Sequence, residues 1–361
     1  GRPWLEAAEA AIARAGAPPR LVAQLALTRG TMAMVDGNIA RAVALYREAL
    51  GRAVDALPAG DLRIAAFCTN LGIAEQSAGE YDAAAATLQR GLTLREAALG
   101  PTHPDLASSL LALGQLEVVR GHLDVAVPVL TRALTIRRQV WGDEHPDVAA
   151  AWTSLGSAER QRGDLAAARH AHEEAIRIWT KALGPSHPTL APALTNLGTV
   201  ELQAGNAAVA EALFRRVLAI HQARGKPHPS LATSWLNLGD ARRVQGACRD
   251  AVPAYQQALA LRTELLGAEH VELQFPLVGL GECALTNHAP AAARDYFARA
   301  VVLAEHGDAT ANERATARFG LARASADPVL ADAAFAESTD ATLRAERERR
   351  HRLPSASSRA C

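Results

Sequence analysis

The sequence predicts an all-α protein, a right-handed α-solenoid (superhelix) in which helical hairpins stack on their neighbours. Three marks in one register predict it. A Leu-Gly or equivalent pair places glycine at Gly30, Gly72, Gly114, Gly156, Gly198, Gly239 and Gly281, at intervals of 42, 42, 42, 42, 41 and 42 residues. A second glycine follows seven residues on, at Gly37, Gly79, Gly121, Gly163, Gly205 and Gly246, with His288 in that place in the last unit. A His-Pro pair marks the unit junctions at His103-Pro104, His145-Pro146, His187-Pro188 and His228-Pro229, with His270-Val271 as a degenerate successor. Such a period is read before any domain count from the 361 residues, because a repeat chain has no separate compact cores to count. The alanine-rich composition with 4% aromatics agrees with closely packed helices.

Taken from the N-terminus, residues 4–15 (WLEAAEAAIARA) read as a lone amphipathic helix, and residues 1–19 are assigned to an N-terminal capping segment. Residues 20–305 form seven repeats of about 42 residues, each one helical hairpin. In the unit from Pro104, apolar residues at Leu106, Leu110, Leu113 and Leu116 carry helical spacing, which defines helix A. Proline in the first turn of that helix loses no hydrogen bond, and an acid at Asp105 or Asp147 suits the positive end of the helix dipole. Gly121 ends helix A in the left-handed conformation, and helix B then runs to Gly142, which ends it likewise. Glycine inside helix A costs about 1 kcal/mol relative to alanine. The small residues twelve positions later, from Ala42 and Ala84 to Ala251 and Ala293, predict that the two backbones cross closely at this pair. Larger residues four further on, Tyr46, Leu88, Leu130, Phe214, Tyr255 and Phe297, are expected to fill space against the next unit. His172 interrupts that series and is expected to be partly buried and hydrogen-bonded to a neighbour.

The fifth interval is one residue short, and Arg224 stands where other units offer Leu99, Trp141, Leu183 and Leu266, so helix B there is expected to end early and to change the superhelical pitch. Residues 306–346 are expected to form a degenerate C-terminal capping hairpin, with Pro328 between its helices and no Leu-Gly mark in register. Residues 347–361 combine charge with Ser and Pro and read as a disordered basic tail.

Charge excludes some functions. Lys+Arg and Asp+Glu both number 38, so no global field draws the chain to nucleic acid. Arginines at 344, 347, 349, 350 and 352 are interleaved with Glu346 and Glu348, as on a solvated helix end. No apolar stretch approaches the roughly 20 residues that span a bilayer, and no signal peptide opens the chain, so no membrane insertion and a cytoplasmic location are expected. Cys68, Cys248, Cys283 and Cys361 form no CxxC pair, which gives no zinc or redox motif. The His-Pro histidines recur along one edge and do not converge, so they are assigned to helix starts and to no metal or acid–base role. HAHEEA at 170–175 places Ile176 where a metalloprotease helix needs its second histidine, and is expected to be a solvated face. Phosphate-binding GxxxxGK[ST] and nucleophile-elbow GxSxG motifs are both absent. No enzyme activity and no cofactor are expected.

The Leu-Gly pattern with alanine twelve on resembles the tetratricopeptide repeat. The 42-residue period and the junctions LGPTHPDLA, WGDEHPDVA and LGPSHPTLA are similar to the kinesin-light-chain type of that repeat, found in many bacterial proteins. The order of opening helix, ladder, altered unit HVELQFPLVGLGECAL and then ERATARFGLARA resembles the C-terminal region of bacterial serine/threonine protein kinases that carry such arrays. No kinase motif lies in this sequence, so that resemblance implies a covalently linked upstream kinase or other signalling domain; the start at Gly1 instead of Met is in keeping with a portion of a longer chain. The alternative function it implies is a C-terminal fragment of such a kinase.

The repeat resemblance implies a protein-interaction scaffold whose A helices line a concave groove for a protein or extended peptide. The positions two before, one after, and four and five beyond the motif glycine face that groove. They hold Asn70, Asn196 and Asn237, then Asp240 and Glu282, then Arg160, Gln161, Gln203 and Arg243. Amides both donate and accept, so a ladder of asparagines grips an extended backbone, and arginines add a preference for acidic residues. Ala112, Ser154 and Gly279 interrupt the ladder.

Overall fold

A computed structural model describes residues 2–337, and within them every regular element is helical. The chain divides into two compact units, which meet in sequence at Pro185 and Ser186. The first unit holds α1 (Arg2–Arg14), α2 (Pro19–Val35), α3 (Ile39–Ala56), α4 (Leu62–Ser77), α5 (Tyr81–Leu99), α6 (Leu106–Val119), α7 (Leu123–Trp141), α8 (Pro146–Arg162) and α9 (Leu165–Leu183). The second holds α10 (Leu190–Gln203), α11 (Ala207–Gln222), α12 (Pro229–Val244), α13 (Cys248–Leu266), α14 (Gln274–Thr286), α15 (Pro290–His306), α16 (Ala311–Ser325) and α17 (Pro328–Glu337). From α2 onward, even-numbered helices are A helices and odd-numbered ones B helices. Each A helix packs on the B helix after it, and α4, α6 and α8, like α12, α14 and α16, touch in succession. α1 is held to α2 by an ion pair between Glu9 and Arg29 at 2.6 Å. The tail 347–361 and the last residues of the expected cap, 338–346, lie outside the described residues.

The seven-residue glycine does what its place demands: Gly37, Gly79, Gly121, Gly163, Gly205 and Gly246 all have positive φ. His288, which replaces it, takes φ 56°. A side chain there is strained by about 1–2 kcal/mol. His288→Gly is therefore expected to raise the thermal midpoint of the second unit, with a gain of about 1 kcal/mol in chemical denaturation.

The His-Pro histidines start helices, but in two ways. His145 Nδ1 accepts from the Asp147 amide and His228 Nδ1 from the Leu231 amide, and their prolines open α8 and α12. His103 and His187 cap in the same way, accepting from the Asp105 and Thr189 amides, but the reading of their prolines needs correction. Pro104 and Pro188 do not open the α-helix; they lie in a tighter first turn closed by three-residue bonds, Leu106 to His103 and Leu190 to His187, and the helix proper starts two residues on.

The motif glycine also calls for a correction. A Cβ on Gly198 would lie 2.5 Å from the Phe214 ring, and Cβ atoms on Gly72 and Gly114 would meet Leu88 and Leu130 at 2.5 and 2.6 Å. The glycine thus makes room for the large residue sixteen positions on in its own hairpin, more than for the alanine at twelve. That large residue is shared: Tyr255 is packed against both Gly239 and Gly279, and Phe297 against both Gly281 and Gly320. α11 is 16 residues long where α13 has 19, the early end expected at Arg224.

His172 departs from expectation. It is fully buried, its ring packed against Gly156, and neither ring nitrogen has a hydrogen-bond partner. HAHEEA is accordingly not a solvated face throughout: Ala171, His172 and Ala175 are core, and Glu173 is outside. Burial, with Arg160 nearby, pushes the His172 pKa down to about 4.

The last hairpin, α16 and α17, keeps more of the repeat than its sequence signals. Ala322 and Ala334 stand twelve apart, as motif glycine and alanine do elsewhere, and both are buried in a cluster with Phe319 and Phe335. Among the described residues no helix is long and apolar enough to cross a membrane.

Candidate functional site

Cavities lie along the A helices in both units. In the first unit, α4, α6 and α8 border a cavity of about 650 Å³. Its lining includes Ile73, Gln76 and Ser77 of α4, Gln115 and Val119 of α6, and Ser154 of α8. These occupy the positions one, four and five after, or two before, the motif glycine. The side-chain amide of Gln115 donates to Ser154 Oγ at 2.8 Å, tying α6 to α8 across this cavity.

The second unit has two such cavities. Asn196 and Asn237 line one of about 230 Å³, with Thr195, Thr233, Ser230 and His221. Asp240, Arg243 and Glu282 line another of about 320 Å³, whose apolar part is Leu236, Phe275 and Val278. Of the sequence-predicted residues, these five are brought together in two groups. Asn70 and Arg160 are half-buried, Gln161 and Gln203 are exposed, and none of the four lines these cavities.

Asp240 and Arg243 are not idle. The Tyr255 hydroxyl donates to Asp240 Oδ1 at 2.8 Å, and Arg243 Nε donates to the same hydroxyl at 3.1 Å. Burial, and then the Asp240 charge, raises the Tyr255 pKa, so the phenol stays protonated and able to donate. Glu282 is paired with Arg323 of α16 at 2.7 Å, linking two successive A helices. This corner has a built, charged floor, whereas the 230 Å³ cavity is lined by amides, hydroxyls and an imidazole.

Two columns escaped the sequence reading. The first is six residues before the motif glycine, one helical turn ahead of the asparagine position: Ser108 and Ala150 in the first unit, Thr233 and Phe275 in the second. The i, i+4 rule applied from Asn237 backward finds it. The second is twenty-three residues after the motif glycine, on helix B, where Arg95, Arg137, Trp179, His221 and Arg262 stand. Each reaches the first two turns of an A helix or the turn leading into it, the helix that follows except for Trp179, which reaches back to α8, and Arg95 also reaches the middle of α4. Arg95 Nη1 bonds Thr69 at 2.8 Å and also Ser109, Arg137 Nη1 the Asp147 carbonyl at 2.6 Å, Trp179 Nε1 the Pro146 carbonyl at 3.2 Å, and Arg262 Nη1 the Glu272 carbonyl at 2.6 Å. His221 Nδ1 lies 2.7 Å from Ser234 Oγ. That Ser–His pair looks like a nucleophile and its base, but Ser234 is buried, donates to the Ser230 carbonyl, and occupies the place Ser109 holds against Arg95. It is one more link in the column.

The tetratricopeptide repeat profile matches residues 62–139, 147–223 and 230–306, together more than half of the chain. No curated protein matches it significantly. Solved structures with similar folds include BtubC (BKLC) of P. vanneervenii, at 22% identity and a TM-score of 0.55 over 64% of this chain and 93% of that one. A tetratricopeptide repeat protein of Parabacteroides merdae is similar at 15% identity and a TM-score of 0.55, over 84% and 99%. Kinesin-light-chain-like repeats of P. anserina match at 24% identity and a TM-score of 0.50, over 56% and 97%.

Proposed function

Because the chain belongs to the tetratricopeptide repeat family, we propose that it is a protein-interaction scaffold that holds an extended peptide along the free faces of its A helices, with no catalysis of its own. One observation carries this reading. In both units the cavities along the A helices are edged by amides and hydroxyls, groups that both donate to and accept from a peptide backbone. The regulatory portion of a larger signalling protein is the setting in which such a module fits the resemblance to kinase-attached arrays.

The residues assigned to peptide contact are Asn196 and Asn237 in the second unit, with Gln76, Gln115 and Ser154 added in the first. Asp240, Arg243 and Glu282 shape the neighbouring floor. A pull-down with the intact array and with Asn196→Ala/Asn237→Ala/Gln76→Ala tests the reading, once circular dichroism and thermal midpoints show equal folding. At least a tenfold drop in recovered partner is expected, about 1.4 kcal/mol over the three lost amides. Unchanged recovery moves the function off this face.

A further inference from the structure

The column on helix B contains a mismatch. Arg137 of α7 is only 9% exposed and lines the cavity bordered by α4, α6 and α8. Its Nη1 donates to the Asp147 carbonyl, its guanidinium carbon lies 5.9 Å from the Trp141 ring, and its buried Nε has no partner. No carboxylate lies within ion-pair distance of it among the described residues. Arg262, in the corresponding place on α13, donates to the equivalent carbonyl, of Glu272, but it also has the Glu272 carboxylate 3.6 Å from its Nε. Asp147 and Glu272 are equivalent, each ten residues after its arginine. The aspartate is one methylene shorter, and its carboxylate instead stands 3.8 Å from His145 Nδ1.

A buried guanidinium without a counter-ion is costly, and a well-placed, hydrogen-bonded anion offsets that cost. The rest of the cavity lining is neutral: side-chain amides, hydroxyls and apolar groups, with no second cation and no carboxylate. One positive charge in an otherwise neutral lining matches one negative charge. A phosphate dianion would need at least one more cation.

We propose that this cavity is an acidic-residue subsite, in which Arg137 receives the carboxylate of a Glu or Asp side chain from an extended peptide lying across α4, α6 and α8. The assignment rests on the peptide-groove reading above and adds the chemistry that the first unit selects. Burial, opposed by Asp147, lowers the Arg137 pKa, the direction of a cation that lacks a full partner.

Degenerate nonapeptide libraries with the central residue fixed as Glu, Gln, Lys or phosphoserine test it, passed over the immobilised full chain. The Glu library should be retained about tenfold more than the Gln library, the margin of one charge-assisted hydrogen bond, and the Lys library least. Arg137→Gln should erase the Glu-over-Gln margin. If that variant folds poorly, Asp147→Glu decides the matter, because it gives Arg137 the internal carboxylate that Arg262 has and should erase the margin in a folded protein. Equal retention of Glu and Gln libraries by the native chain overturns the subsite and leaves the groove reading standing. A margin that survives in both variants also overturns it. Preference for the phosphoserine library over Glu replaces the carboxylate assignment, and retention of no library overturns the groove reading with it.

Discussion

Gly198→Ala is expected to destabilise the second unit by about 1–3 kcal/mol, although alanine is the better helix former. The added Cβ would sit 2.5 Å from Cε1 of Phe214, a fully buried ring with nowhere to swing. Phe214→Ala should cost about 3–5 kcal/mol by leaving a cavity. The informative measurement is the pair together. With the ring gone, the extra methyl enters vacated space, so the double variant should be more stable than the two single losses predict, by about 1–3 kcal/mol of coupling. Urea denaturation followed by far-UV circular dichroism on all four proteins gives the cycle. Additive losses would mean that the glycine serves some purpose other than admitting the ring.

The second large effect is expected at His172. Its pKa near 4 in the fold compares with roughly 6.5 in an unfolded chain, so protons bind the unfolded state more tightly. Stability from this site is complete above about pH 6.5 and is lost as pH falls toward 4, by about 3 kcal/mol in all. The sister positions Leu88 and Leu130 show that a leucine fits against the motif glycine. His172→Leu should therefore stabilise the first unit by about 1–3 kcal/mol near neutral pH, by removing two buried nitrogens without partners. The gain should grow as the solution is acidified. Urea midpoints from about pH 7.5 to 4 for both proteins measure this, and a constant difference between them would show that the imidazole does not control acid stability.

What the sequence made legible was whatever rests on backbone conformation. The 42-residue period, the positive-φ glycines and the histidines that start helices are local requirements, and each is visible within a few residues. The early end of α11 follows equally from one missing residue and Arg224 in an apolar place. Where side chains from different helices meet, the sequence was legible only in part: that Tyr255 and Phe297 pack against the next unit followed from it, but the detailed contacts did not. The spacing of sixteen between Gly198 and Phe214 was visible, but not that the ring lies over the glycine. A buried histidine usually has a partner, and only the surroundings of His172, closed over by Gly156 with both ring nitrogens unbonded, show otherwise. Arg137 and Arg262 read alike in the sequence. The one-methylene difference between Asp147 and Glu272 acquires meaning only when distances are known. Of the residues that the rule places relative to the motif glycine, Asn196, Asn237, Asp240, Arg243 and Glu282 line these cavities, and Asn70, Arg160, Gln161 and Gln203 do not. The helix ends do not account for the last two, since Ser77 and Val119, also five past the motif glycine at the ends of α4 and α6, do line a cavity.

The sharing of one large side chain between two A helices has a consequence for how the second unit opens. Tyr255 seals its own hairpin and the next, and Phe297 does the same one step on. A hairpin that frays at one of these rings exposes apolar surface on its neighbour too, so amide protons of α12 to α16 should exchange with solvent as one cooperative block and not helix by helix. Slow, correlated exchange across those helices would make this stretch the part of the chain that stays assembled longest, and the stretch on which any captured segment is held against a steady surface.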